Sequence, residues 1–239
     1  MATSKEIIIG CDDGHGVDTP GKRTPDGYKE NNFNHWTKEY LIDELEYNGF
    51  KTIDCSPSRK DNSLNDRCNI ANKENCDLFV SIHFNAYTGK WQVKASGIET
   101  YYYINNSGKG IRAAQTIHFE LIKGTKMKNR GVKGANFKVL RDTKMPAVLV
   151  ECGFMDYKEE SILMKSIDYR KECSIEICKG ICKIYKKTYK SKNESTKKEY
   201  DEILKIVSPE YYKIWLEFVK EHQEVNMKGL IENLYNWKK

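Results

Sequence analysis

The sequence predicts an α/β fold: a mostly parallel, mixed and twisted sheet of about six strands with helices on both faces, plus a small all-α C-terminal domain. Short apolar segments alternate with helix-like segments over residues 1–190, as in sheets whose parallel strands are joined by helices. A polar run without large apolar residues, 191–198, is typical of a linker, and helical patterning resumes over 199–239. The 239 residues are 39% hydrophobic and 31% charged, which is the balance of a folded chain.

The first half of the chain predicts three strands and two helices. KEIIIGC (5–11) reads as a strand, and the Gly- and Pro-rich DDGHGVDTPGKRTPDGY that follows marks a long loop. Residues 31–48 place Phe33, Leu41 and Leu45 on a helical period, and Gly49 ends this helix. KTIDC (51–55) predicts the second strand. Residues 62–75 predict a second helix, and DLFVSIHFNA (77–86) a buried third strand.

The second half continues the alternation of strands and helices. SGIETYYYI (96–104) predicts a strand, and residues 108–124 predict a helix that Gly124 ends. FKVLR (137–141) and PAVLVECGF (146–154) are predicted as two further strands. Residues 156–190 are predicted as helix with one interruption.

Net charge and hydropathy limit the classes of protein to which the chain can belong. The formal net charge of +6 would suit an anionic partner, but many lysines fall within 183–198, as in a solvated helix end and linker. We therefore expect no nucleic-acid partner. No apolar stretch approaches the roughly 20 residues of a membrane span, and the N-terminus lacks the roughly 7 to 15 apolar residues of an export signal. We expect a cytoplasmic protein on synthesis, with no signal peptide and no membrane insertion.

The eight cysteines are scattered along the chain, without a CxxC pair. A chain of this length does not need disulfides to stabilise its core. Cys178 and Cys182 are one helical turn apart, and small buried thiols on one helix face explain that spacing better than a metal site. We expect all eight cysteines to be reduced.

Three polar residues stand at or just beyond the ends of predicted strands. His15 follows the first strand, His83 ends the apolar run LFVSIH, and Glu151 ends PAVLVE. Ligand sites in open α/β sheets form beyond the carboxyl ends of the strands. Parallel strands would therefore bring His15, His83 and Glu151 together despite their separation in the sequence.

Two imidazoles and a carboxylate are the ligand set of a catalytic zinc site, which keeps one position for water. His15 and His83 supply the imidazoles. The third ligand stays open among four carboxylates, those of Asp12, Asp13, Glu30 and Glu151. Glu151 could instead be the general base, because an unpaired carboxylate at the end of an apolar strand is costly to keep there.

Several motifs together resemble a known family. GHG after the first strand, KEN opening a helix, SRKDNSLNDRCNIANKENCDLFVSIHFNA and MPAVLVECGFMDYKEE closely resemble the zinc-dependent N-acetylmuramoyl-L-alanine amidases of the type 3 family. That family comprises bacterial wall-remodelling enzymes and phage endolysins. The resemblance covers residues 5–185. It implies that His15, Glu30 and His83 bind Zn²⁺ and that Glu151 is the catalytic carboxylate.

Other residues receive lesser roles. Asp13 stands where many relatives carry a small residue or proline, which concerns the shape of the loop rather than His15. Arg67 and Asn72 match the family pattern, and we expect structural roles for both. Asn85 is expected to fix the loop after His83. Packing roles are expected for the remaining helical histidines, His35 and His118.

The resemblance implies a peptidoglycan hydrolase that cleaves the amide between N-acetylmuramic acid and L-alanine with a zinc-activated water. A phage or prophage endolysin, acting on the wall after release from the cytoplasm, is the favoured setting. The alternatives are a sporulation amidase that lyses the mother cell, another zinc-dependent wall hydrolase such as a peptidase or deacetylase, and a catalytically silent wall-binding module. For residues 199–239 we expect a small helical domain that binds a secondary wall polymer, against a purely structural or self-associating role.

Overall fold

The computed structural model describes residues 6–105 and 108–192. The predicted helical domain over 199–239, and most of the linker before it, lie outside the described residues. The strands are β1 (Ile8–Asp13), β2 (Lys51–Asp54), β3 (Leu78–Asn85), β4 (Ile98–Tyr103), β5 (Asn129–Ala135) and β6 (Ala147–Phe154). The helices are α1 (Glu30–Tyr47), α2 (Leu64–Lys73), α3 (Lys109–Thr125), α4 (Lys138–Arg141), α5 (Lys158–Lys165) and α6 (Ile167–Ile184).

The six strands form one mixed sheet in the order β2-β1-β3-β6-β4-β5. All neighbouring strands are parallel except β4 and β6, which are antiparallel. Helices α1, α3 and α6 pack on one face of the sheet, and α2 and α4 cover the other. The predicted fold class of the main domain is therefore confirmed.

Alternating side chains of the strands fill a core on each face. Val80, Ile82 and Val150 point to the face of α1, α3 and α6. Phe79 and Leu149 point to the face of α2 and α4. Because side chains alternate along a strand, positions 83 and 151 belong with Phe79 and Leu149. His83 and Glu151 are Cα partners on β3 and β6, so both side chains lie on the α2/α4 face.

One predicted strand was wrong. FKVLR forms the short helix α4, which buries Val139 and Leu140, and the missing strand is β5. Three apolar residues within five positions fit one helical turn as well as a strand, so periodicity could not decide. The sequence pattern does not predict β5, because it is an edge strand with two glycines and side chains that are at most half-buried. The predicted interruption of the last helix is observed at Ser166, which caps α6 through its hydroxyl.

All eight cysteines lie buried as free thiols. Burial raises the pKa of the Cys11 and Cys68 thiols, as expected for sulfurs packed in the core. None of the helices within 6–105 and 108–192 combines the length and the apolar character needed to cross a membrane.

Candidate metal centre

The Gly-His-Gly loop begins where β1 ends. The Gly14 N–H donates to the Ile82 carbonyl of β3 at 2.9 Å, which carries the chain past the sheet edge. His15 then adopts a left-handed backbone, with φ of 63°, a conformation uncommon outside glycine and typical of constrained sites. A Cβ on Gly14 would lie 2.0 Å from the His83 ring, and one on Gly16 would lie 2.1 Å from the Asp61 backbone nitrogen. Gly14 is thus required for the close approach of the His83 ring, and Gly16 for the close approach of the backbone at Asp61.

Neighbouring side chains hold the carbonyl groups of this loop. Asn31 Nδ2 donates to the His15 carbonyl at 3.0 Å, and Asn34 Nδ2 donates to the Gly14 carbonyl at 2.9 Å. Arg67 is buried and donates to the His15 carbonyl at 3.2 Å and to the Asp13 carbonyl. The structural role expected for Arg67 is therefore observed: it fixes the backbone on which His15 stands.

Glu30 opens α1 and reaches across the sheet edge to β3. Its Oε1 accepts hydrogen bonds from the Phe84 N–H and from Asn34 Nδ2, both at 3.1 Å, and lies 3.2 Å from His83 Nδ1. Its Oε2 lies 3.6 Å from His15 Nε2. Glu30, on helix α1, is thereby held between His83 on β3 and His15 in the loop that follows β1.

His15, Glu30 and His83 each offer one donor atom to a shared point, and these atoms lie within 4.8 Å of one another. The other two carboxylates that the sequence left open in this loop are engaged elsewhere. Asp12 is 2.6 Å from both Arg67 and Ser81, and Asp13 is 3.0 Å from His35 Nδ1. Glu30 is therefore the carboxylate that the fold brings to the two imidazoles.

Two of the three donors, Glu30 and His15, have protonation states that suit a cation, whereas at His83 burial is outweighed by the hydrogen bond to Glu30, which raises the pKa. Burial acts to raise the pKa of Glu30, but the hydrogen bond from His83 and the nearby imidazoles outweigh it and hold the pKa at about 2. Burial lowers the pKa of His15 to about 4, with the His83 charge adding to the effect. Near neutral pH the carboxylate is ionised and His15 is neutral, which are the forms that bind metals.

Glu151 lies on β6 beside His83, at the floor of the site. Its Oε2 is buried and accepts no hydrogen bond from the described residues. Loss of surrounding water raises the pKa of Glu151 to about 8, against the lowering effect of His83 and with a further raising effect from Glu30. A carboxyl group with a pKa near neutrality and a free oxygen can exchange protons with a bound reactant.

A second buried glutamate, Glu99, lies on β4, where it is the Cα partner of Glu151 on the neighbouring strand β6. Glu99 is not among the site residues predicted from the sequence, although a carboxylate in a strand with three tyrosines is a signal that could have indicated it. Its carboxylate accepts from Arg130 Nε and Lys133 Nζ, both at 2.5 Å, and from Asn85 Nδ2 at 3.1 Å. Asn85 also accepts the Ala86 N–H at 2.8 Å, so it fixes the loop after His83 as expected.

The remaining residues of lesser role lie outside the donor cluster. His35 contacts the Asp13 carboxylate behind the loop. Asn72 joins α2 to the segment after α4 by donating to the Asp142 carbonyl and accepting the Lys144 N–H. His118 lies on α3, within 2.9 Å of Thr100. All three support the fold.

The donor cluster opens into a cleft of about 580 Å³ at the carboxyl edge of the sheet. Its lining joins the polar cluster with Glu151, apolar side chains of α2 and α4 such as Leu64 and Phe137, and the exposed Lys22. The cleft therefore gives a bound molecule access to the donor cluster and to Glu151 at the same time.

The residues present fit a zinc ion. Two imidazoles and one carboxylate match the ligands of catalytic zinc sites, in which the fourth position is left for water. The glycine at position 14 leaves room for the His83 ring, and the unpartnered Glu151 oxygen lies beside the donor cluster rather than within it. This arrangement has an open side, as catalytic sites do and closed structural sites do not.

Comparisons with known proteins agree with this geometry. Residues 9–183 match the family model Amidase_3, described as N-acetylmuramoyl-L-alanine amidase. The chain is 35% identical over 165 residues to a sporulation-specific N-acetylmuramoyl-L-alanine amidase of Bacillus subtilis (strain 168), covering 68% of this chain and 62% of that protein. It is 38% identical over 141 residues to an endolysin of Bacillus phage SPP1, covering 57% of this chain and 50% of that protein.

A solved structure is similar over the same region. The N-acetylmuramoyl-L-alanine amidase from Clostridium difficile 630 matches with a TM-score of 0.72 and 28% identity, covering 77% of this chain and 98% of that one. The chain thus spans between half and two thirds of the two curated relatives' lengths, and nearly all of the solved amidase. On the match over residues 9–183, this chain belongs to the Amidase_3 family of N-acetylmuramoyl-L-alanine amidases.

Proposed function

We propose that this chain is a zinc-dependent peptidoglycan hydrolase that cleaves the amide bond between N-acetylmuramic acid and L-alanine. The observation that carries the proposal is the convergence of His15, Glu30 and His83 within 4.8 Å, next to the unpartnered Glu151. Family membership supports the reaction, and the donor set supports the metal.

Each side chain has a distinct task in the proposed reaction. His15, Glu30 and His83 would hold the ion, which when bound polarises the scissile carbonyl and lowers the pKa of a water molecule. Glu151 accepts the proton of the attacking water through its free oxygen. The same carboxyl group then donates that proton to the departing amine of L-alanine, so that the amine leaves as a neutral group.

The surroundings keep these groups in place. Asn34 and the Phe84 N–H fix one oxygen of Glu30, which leaves the other oxygen directed toward His15. Arg67 and Asn31 hold the His15 backbone in its left-handed conformation. Such fixed donors lose little freedom when a metal or substrate binds, which favours both affinity and rate.

Product analysis is the direct test. Purified peptidoglycan digested by the full chain should yield stem peptides that begin with a free L-alanine amine, and glycan strands of unchanged length. Released acetate would instead indicate a deacetylase, and new amines within the stem a peptidase. Either product in place of free L-alanine amines would contradict the proposed reaction.

Metal content is the second test. We expect close to one zinc ion per chain, loss of activity in a chelator such as 1,10-phenanthroline, and recovery when zinc is returned. Activity that persists after complete removal of zinc would contradict the role proposed for His15, Glu30 and His83.

For the biological setting we propose a phage or prophage endolysin. The similarity to the SPP1 endolysin supports this setting, whereas the similarity to the sporulation-specific amidase supports the alternative. Expression inside a Gram-positive host should cause lysis only when the cytoplasmic membrane is also permeabilised. Activity restricted to wall isolated from sporulating cells would favour the sporulation enzyme.

We also propose that residues 199–239 bind a secondary wall polymer. The basis is the sequence pattern alone: aromatic residues at helical spacing after a polar linker. Retention of the full chain on purified walls should exceed that of residues 1–190. Equal retention of the two would rule out an anchoring role.

A further inference from the structure

Lys22 occupies a fixed place beside the donor cluster. Its carbonyl accepts the Glu30 N–H at 3.0 Å, and the next pair of residues, Arg23 and Lys29, forms an antiparallel bridge. A tight turn over 24–27 closes this short ladder. Lys22 is therefore directly across from Glu30. Its backbone is held by the N–H of Glu30, the residue whose side chain contacts both histidines.

The tip of the ladder is tied to the helices beneath it. Asp26 forms an ion pair with Lys165 at 2.7 Å, and the Tyr28 hydroxyl accepts a hydrogen bond from Arg170. These contacts join the loop to the end of α5 and the start of α6. The loop that carries Lys22 is consequently held at both ends, although the lysine side chain itself is exposed.

Three cationic side chains line the cleft, and two of them are neutralised. Arg67 is 2.6 Å from Asp12, and Lys138 is 2.6 Å from Asp142. The ammonium of Lys22 forms no hydrogen bond or ion pair with any side chain in 6–105 and 108–192. Lys22 is therefore the cation of this cleft that is left to pair with a bound anion.

The opposite wall of the cleft has a different character. Leu64 and Phe137 stand at the starts of α2 and α4, and they remain 50% and 42% exposed although both are large and apolar. Lys22 lies on the loop that leads into α1, which packs on the other face of the sheet. The cleft thus offers two exposed apolar side chains on one side of the donor cluster and an unpaired positive charge on the other.

The proposed substrate has a matching polarity. On one side of the scissile amide lies the sugar ring of N-acetylmuramic acid, whose faces pack on apolar and aromatic side chains. On the other side lies L-alanine, followed by D-isoglutamate, which is linked through its side chain and so carries a free α-carboxylate next to the alanine. A cation placed beyond the reacting centre would pair with this carboxylate.

Resting on the proposed function, we infer that Lys22 forms the stem-peptide subsite and pairs with the free carboxylate of D-isoglutamate, the second residue of the stem. A role at the reacting carbonyl fits less well. A donor to the oxyanion must come within about 3 Å of it, close to Glu30 and Glu151. Lys22 forms no ion pair with either carboxylate, so its ammonium lies beyond contact distance of both, although its charge still acts on Glu151.

The test compares two substrates that differ in one group. Disaccharide tetrapeptides with D-isoglutamate or D-isoglutamine at the second position differ only in a carboxylate against an amide. The wild-type chain should cleave the carboxylate form with a kcat/KM about threefold to tenfold higher, chiefly through KM. Lys22→Gln should lose this preference by slowing only the carboxylate form, and Lys22→Arg should retain it.

Matched controls separate the subsite from general effects of charge. Lys29→Gln removes the same charge from a neighbouring exposed position that does not line the cleft, and it should keep the preference. An unchanged rate of Lys22→Gln on the isoglutamine substrate shows that this variant is folded and holds its metal. Raising the salt concentration should weaken the preference of the wild-type chain, because an exposed ion pair is screened.

Three outcomes would overturn the inference. A preference unchanged in Lys22→Gln would mean that another group recognises the carboxylate. An equal loss of kcat on both substrates would place Lys22 at the reacting carbonyl or in the scaffold. Cleavage of both substrates by the wild-type chain without preference would mean that the carboxylate is not recognised. Cleavage of neither substrate is a different result, because it would refute the amidase activity itself.

Discussion

Two glutamates that face each other across strands β6 and β4 have opposite surroundings. Glu99 accepts hydrogen bonds from four side chains, those of Asn85, Tyr101, Arg130 and Lys133. Although burial acts to raise the pKa of Glu99, the hydrogen bonds from Lys133, Tyr101 and Arg130 outweigh it and lower the pKa. Glu151 has an unpartnered Oε2, and loss of surrounding water raises its pKa to about 8.

The contrast distinguishes two uses of the same side chain. A carboxylate saturated by donors contributes to the stability of the sheet, and it has no lone pair left for a reactant. A carboxylate without partners costs free energy in the folded state, so its presence beside a donor cluster indicates a function. The comparison predicts that the same substitution, Glu to Gln, has different consequences one strand apart.

The largest effect is expected at Glu151. Glu151→Gln should lower kcat by about 10²-fold to 10⁴-fold, because the amide cannot exchange the proton of the attacking water. Zinc content and the free energy of unfolding should stay at least at wild-type values, because no ion pair is lost. Hydrolysis of peptidoglycan, elemental analysis and urea unfolding measure the three quantities. A wild-type kcat in this variant would contradict the proton-transfer role proposed for Glu151.

Glu30 extends the comparison to a third carboxylate, in which one oxygen is saturated and the other is not. In Glu30→Gln the amide oxygen can take the place of Oε1 and keep the hydrogen bonds from Asn34 and Phe84. The amide nitrogen then replaces Oε2, and it has no lone pair for a metal. Zinc affinity should fall by more than about 100-fold, since outer partners alone are worth 10-fold to 100-fold. Competition with a chelator measures it, and unchanged affinity would show that Glu30 is not a ligand.

At Glu99 the expected loss is one of stability. Glu99→Gln leaves Arg130 and Lys133 without their negative partner, and the free energy of unfolding should fall by about 1–3 kcal/mol. The loss is limited because both cationic side chains remain partly exposed to water. Hydrolytic activity should remain at temperatures where the variant is folded. A variant as stable as wild type but inactive would reverse the roles assigned to the two glutamates.

The last expected effect is a dependence of stability on pH, and it is confined to the metal-free chain. Between its ordinary pKa of 4.5 and the raised value of about 8, Glu151 stays protonated in the folded state and ionised in the unfolded state. The folded state then binds more protons, so stability falls as pH rises, by up to about 1.4 kcal/mol per pH unit. Urea unfolding of wild type and Glu151→Gln, both in chelator, isolates this slope. Identical slopes would show that the pKa of Glu151 is not raised.

Part of the site followed from the sequence and part did not. The ends of predicted parallel strands were enough to bring His15, His83 and Glu151 to one edge, because strand direction fixes which ends meet. Glu30 could not be chosen among nearby acidic residues without the family resemblance, since the choice depends on how α1 crosses the sheet edge. The Asp12 and Asp13 carboxylates turn away toward Arg67, Ser81 and His35, which no spacing rule indicates.

The strands and side-chain contacts of the fold could likewise be predicted only in part from the sequence. β3 and β6 were predictable because central parallel strands are apolar on both faces. β5 is an edge strand, and its half-buried side chains and glycines give no clear alternation of apolar and polar residues. The apolar segment FKVLR that follows it was therefore predicted as the strand, although it forms a helix. The side-chain network around Glu99 depends on the pairing of β4 with β5, which brings Arg130 and Lys133 to Glu99, and that pairing is visible only in three dimensions.

The order of strands in the sheet also governs when the site can exist. Of the strands in 6–105 and 108–192, β6 is the last to be synthesised, yet it lies in the interior of the sheet between β3 and β4. A nascent or truncated chain that ends before Ala147 contains the residues His15, Glu30 and His83 but has no Glu151. A ribosome-bound fragment of this length would therefore lack the carboxyl group proposed to handle the proton, and the proposed reaction would become possible only once β6 has joined the sheet.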